Sequence, residues 1–95
     1  MPIATQRDRE ILRERVVGYL ATRSALKFEA SAIRRALVAR GLVDFTPGED
    51  DVEQALVFAL GMGYAEKAPA QMGATVYWQA TTAGVLAAER NGWET

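Results

Sequence analysis

The chain has 95 residues, of which 49% are hydrophobic and 24% charged, the balance of one soluble globular domain. It contains no cysteine and no histidine, which excludes disulfides, Cys/His zinc sites, Ser-His-Asp triads and Cys-His nucleophiles. Glycine-rich phosphate loops and the HExxH motif are also missing from it. The sequence therefore predicts neither an enzyme nor a cofactor, and no small-molecule ligand is expected.

The first ten residues are polar, and the longest run of low polarity, Ala55 to Ala65, is shorter than the roughly 18–20 residues that span a bilayer. A cytoplasmic protein with no membrane partner is expected. The formal net charge is −1, but it is divided unevenly along the chain. Nine basic side chains in residues 1–40 face four carboxylates, a net of +5, whereas two basic side chains in residues 41–95 face eight carboxylates, a net of −6. Separated charge favours oriented contact with a charged partner; solvated helix faces are the plainer alternative.

In chain order, the first periodic segment runs from about Gln6 to Thr22, with Ile11, Leu12, Val16, Tyr19 and Leu20 on one face and Thr5 as the expected N-cap. Leu26 to Glu29 alternates and suits one edge pairing. Ser31 is the expected cap of a short second helix with Ile33, Ala36 and Leu37 inward. Gly41 and Leu42 suit a Schellman ending.

Thr46-Pro47-Gly48-Glu49 reads as a capping box, with Pro47 at the first helical position and Asp50 and Asp51 complementing the positive helix end. This third helix is predicted to reach about Met62 and to end at Gly63, with Val52, Leu56, Ala59 and Leu60 as its core face. Strands at 64–68 and 75–80 are predicted to form a hairpin around a turn-rich loop. Thr81 or Thr82 then caps a last helix that Gly92 ends. The expected core comprises Ile11, Val16, Leu20, Ile33, Leu37, Val52, Leu56, Leu60, Val76 and Trp78.

The order is helix, short strand, helix, turn, helix, strand, loop, strand, helix. It resembles a winged helix-turn-helix domain: Ser31 to Leu60 is similar to its two-helix unit, Gly63-Tyr64 to the entry of the wing, and Tyr77 to Gly84 to its strand-to-helix junction. The resemblance covers nearly all of residues 1–95 and rests on order and spacing. Within the class, small winged-helix proteins of Mu-type prophages are the most similar. The implied fold is α+β, a three-helix core with a β-hairpin wing and a C-terminal helix.

The resemblance implies a DNA-binding regulatory domain, in which the second helix of the unit enters the major groove and the wing touches phosphate. The basic candidates for double-stranded DNA are Lys27, Arg34, Arg35, Arg40 and Lys67, near Arg9 and Arg13 of the first helix, with Gln71 and Thr75 as weaker wing contacts. The arginines are alternatively solvated or paired internally.

The third helix departs from this pattern. Its outward face combines Asp50, Asp51, Glu53, Gln54, Val57 and Phe58, and carboxylates repel a phosphate backbone. The alternative function is a protein-interaction or dimerisation module on the same scaffold, with Asp50, Glu53, Gln54, Val57 and Phe58 as its interface. A homodimer or another protein is then the partner. The two tryptophans are expected to pack, the alternative being a base-stacking platform; Trp93, beyond the last helix, either folds back or projects to a partner.

Overall fold

The computed structural model describes residues 5–68 and 75–95. The predicted wing loop, residues 69–74 with Gln71, lies outside the described residues. The architecture is α+β: α1 (Gln6–Thr22), α2 (Ala30–Ala39), α3 (Glu49–Gly61), β1 (Ala65–Ala68), β2 (Tyr77–Ala80) and α4 (Thr82–Asn91).

Thr5 caps α1 as expected, its side chain accepting from the Asp8 N–H at 3.1 Å. The helix buries Leu12, Val16, Val17, Tyr19 and Leu20, while Ile11 is only partly buried against the same core. α1 packs on both α3 and α4, and α2 packs on α3. Ile33 and Leu37 of α2 complete the core with Val52 and Leu56 of α3.

Three local expectations need correction. Ser31 is not a cap: α2 starts at Ala30 with Glu29 as N-cap and no side-chain cap bond. Ala30 is itself buried, so the helix begins where its packing begins. Thr46 and Pro47 both precede α3, whose N-cap is Gly48. The reciprocal carboxylate is Asp51, whose Oδ2 accepts from the Gly48 N–H at 2.8 Å, in place of Glu49.

The third correction concerns the core. Leu60 and Val76 are exposed (40% and 44%). On α3 the inward stripe is Val52, Ala55, Leu56 and Ala59. Two alanines let α1 approach closely, and the larger Leu60 is left outside. Val76 precedes β2, whose pairing starts at Tyr77.

The helix ends follow sequence. After α2, Gly41 has φ 65°, the Leu42 N–H donates to the Leu37 carbonyl at 3.0 Å and the Gly41 N–H to that of Val38 at 3.2 Å, a Schellman ending. Thr81 caps α4 by accepting from the Gly84 N–H at 3.0 Å, and its hydroxyl donates to the Gly63 carbonyl at 2.5 Å. One side chain thus ties the start of α4 to the chain just beyond α3.

β1 and β2 pair antiparallel in the register Ala65↔Ala80, Glu66↔Gln79, Lys67↔Trp78 and Ala68↔Tyr77. Trp78 is also bridged on its other edge by Phe28, with Phe28 N–H to Trp78 O at 2.9 Å and Trp78 N–H to Phe28 O at 2.7 Å. The predicted edge pairing of Leu26 to Glu29 is therefore this single rung. Phe28 in turn meets Tyr19 edge-on, with centroids 5.2 Å apart.

Candidate functional site

The exposed side of α3 is the chain's most distinctive surface. Its first turn carries Glu49, Asp50 and Asp51, where carboxylates favour the positive end of the helix. Glu49, Asp50, Glu53 and Gln54 are exposed, whereas Asp51 is partly buried and spends its carboxylate on the Gly48 cap. No lysine or arginine occurs in α3.

Further along, Val57 (57%), Phe58 (44%), Leu60 and Met62 (52%) are all exposed. The sequence-predicted interface residues Asp50, Glu53, Gln54, Val57 and Phe58 therefore lie on one solvent-facing side. Leu60 on the helix and Met62 at its C-cap are exposed as well, beyond what periodicity indicated. Asp50, Glu53, Gln54 and Val57 line a shallow concavity on it. This side of the helix thus carries both acidic and apolar side chains exposed to solvent.

Of the basic candidates, Arg34 is committed to an internal contact, as are three other arginines of the basic half. Arg34 donates from Nε to the Pro47 carbonyl at 2.7 Å, holding the loop before α3. Arg13 stacks over the Phe58 ring, its Cζ 3.8 Å from the centroid. Arg15 donates from Nε to the Leu42 carbonyl at 3.1 Å, and Arg23 covers the Tyr19 ring at 4.1 Å. Four arginines of the basic half thus serve internal contacts, because a guanidinium satisfies carbonyls and aromatic faces at once.

Arg35, Arg40, Lys27 and Lys67 are exposed. Lys67 reaches over the Trp78 ring at 5.6 Å and Lys27 over Tyr77 at 6.0 Å. Thr75 is exposed beside β2. The concavity where α2, α3 and the hairpin meet is lined by Glu29, Glu49 and Glu53 together with Thr75 and Val76. Its charged side chains are all negative.

A third concavity, a groove of about 370 Å³, lies between α1, the end of α3 and the C-terminal segment. Sequence reasoning missed it, because it joins residues far apart in the chain. Its walls include Phe58, Tyr64 and Trp93, with Glu10, Arg13 and Glu14 from α1. Tyr64 and Trp93 meet edge-on, centroids 6.2 Å apart at 66°. Of the two alternatives for Trp93 the structure shows the fold-back, and the helix-end bond from its N–H to the Ala88 carbonyl at 2.9 Å starts the return.

Among the described residues no cluster of acidic side chains has the arrangement of a metal site. Among the described residues no helix is long and apolar enough to cross a membrane. No family model, curated protein or solved structure matches this chain.

Proposed function

We propose that this chain is a winged-helix module that binds a protein through the outer side of α3. The winged-helix reading is supported by the element order and by the rung that joins Phe28 to β2, which sets the short strand beside the hairpin. The functional reading rests on one observation: the exposed residues of α3 are Glu49, Asp50, Glu53 and Gln54 together with Val57, Phe58 and Leu60, with Met62 exposed at its C-cap and no cation in the helix. Duplex phosphates would meet uncompensated carboxylates there. A protein with an apolar centre and a basic rim would cover the patch and pair its charges. A second copy in two-fold contact would bring like rims together, so a different partner fits better.

The test is a photo-crosslinking amino acid placed at position 57 in cells. A discrete protein adduct that disappears in the Glu53→Lys background is the expected result. Absence of an adduct, together with duplex binding by the purified chain at low salt, overturns the reading.

A second reading keeps the DNA-binding expectation and moves it to α2. Arg35 on α2 and Arg40 at its C-cap are exposed, and the helix has no carboxylate of its own. They would clamp phosphates on a surface away from α3. A regulator of the prophage type would fit this arrangement.

A further inference from the structure

The groove between α1 and the end of α3 combines aromatic walls with unpaired negative charge. Tyr64 and Trp93 form two walls at 66° to one another, and both rings are only partly buried. Among the described residues no cation lies over either ring, although Phe58, Tyr19, Tyr77 and Trp78 each have one. Glu14 lines the same groove, partly buried, and makes no hydrogen bond or ion pair among the described residues. Glu10 receives only a long 3.4 Å bond from Gln6. Against these two carboxylates stands Arg13, whose guanidinium is already stacked on Phe58.

A half-desolvated carboxylate beside open aromatic faces favours a cation that tolerates the loss of water. A guanidinium is weakly hydrated, stacks on aromatic faces and pairs with a carboxylate in one plane. The Arg13–Phe58 stack shows that the groove's own wall accepts that chemistry. Glu10 and Glu14 disfavour a free carboxylate or phosphate, and a lysine ammonium would keep more of its hydration.

We infer that this groove takes an arginine side chain presented by the protein that covers α3. The inference rests on the protein-binding reading and names the residue type that anchors the partner. Phe58 belongs to both surfaces, so one partner segment lying along α3 reaches the groove at the end of the patch. The basic rim required by the acidic half of α3 and the arginine required here describe the same kind of partner.

The experiment uses the purified chain and two probes, N-acetyl-arginine amide and its neutral isostere N-acetyl-citrulline amide, at matched ionic strength. Nuclear magnetic resonance follows the Trp93 indole N–H, assigned with Trp93→Phe. The arginine probe is expected to move this resonance and the Tyr64 ring signals saturably, with the citrulline probe about fivefold weaker. Glu14→Gln weakens the arginine probe by a similar factor, and Arg13→Gln, which removes the groove's own cation, strengthens it. Equal response to both probes, or no response to either at about 100-fold molar excess and above, overturns the inference. The readout concerns the groove alone, so that failure leaves the adducts at position 57 to decide the wider reading.

Discussion

The carbonyl of Trp93 lies directly against Gly18, in the middle of α1, so closely that a side-chain carbon at position 18 would collide with it. The Thr95 N–H donates to Thr22 Oγ1 at 3.3 Å one turn further on. A glycine inside a helix ordinarily costs about 1 kcal/mol relative to alanine. Here it lets the returning segment lie on α1 and sets one wall of the groove.

Gly18→Ala is therefore expected to reverse the usual sign. In place of a gain from helix propensity, the variant should lose about 1–3 kcal/mol and shift the emission of Trp93 toward that of exposed indole. Gly61→Ala is the matched control. Nothing lies within 4 Å of a side-chain carbon there, so it should be neutral or gain up to about 1 kcal/mol. Urea unfolding of both variants, followed by fluorescence and circular dichroism, checks the contrast.

Leu56 is fully buried at the centre of α3 while Leu60, one turn later, is 40% exposed. Leu56→Ala should cost about 2–5 kcal/mol through lost transfer energy and a cavity. Leu60→Ala should cost less than about 1 kcal/mol. Equal losses in denaturant titrations would restore Leu60 to the core face that periodicity assigned it.

The two caps that the structure uses differ in what they hold. Asp51→Ala removes one carboxylate bond to the Gly48 N–H and the favourable charge at the start of α3, for about 0.5–1.5 kcal/mol. Thr81→Ala removes both the α4 cap and the bond to the Gly63 carbonyl, for about 1–2 kcal/mol or more. Thermal melts should rank Thr81→Ala as the more damaging.

Val57 and Phe58 lie off the core. Val57→Asp should change stability by no more than about 0.5 kcal/mol and abolish crosslinking to the partner from neighbouring position 61. Phe58→Asp also removes the stack with Arg13, and is expected to remain folded at a cost of about 1 kcal/mol. Sedimentation of the wild-type chain separates the two kinds of partner: a monomer at high concentration leaves a different protein, and a dimer dispersed by Phe58→Asp means that a second copy covers α3.

If the α2 reading holds, affinity for a labelled duplex falls steeply with salt. Replacing Arg35 and Arg40 by alanine then lowers the slope by about one for each phosphate that is no longer neutralised. Arg34→Ala should act differently, through the loop it holds at Pro47, lowering stability more than the salt slope.

The order of elements, the Thr5 cap, the Gly41 ending and seven of the ten expected core residues were legible from sequence. Each depends on neighbours within a turn or on a repeat of the helical or strand period. The acidic half of α3 was legible for the same reason, being contiguous in the chain. Tertiary structure decided what periodicity left open. The stripe of α3 turned by one residue because Ala55 and Ala59 admit α1 and Leu60 does not fit. Arg15 and Arg34 found carbonyls 27 and 13 residues away, so a cluster that is basic in sequence is partly an internal scaffold. The groove joins Glu14, Tyr64 and Trp93 from three separate segments. Side-chain periodicity specifies which way a residue faces on its own element; what it meets there depends on how the elements are laid against one another, and that is fixed only when the whole core packs.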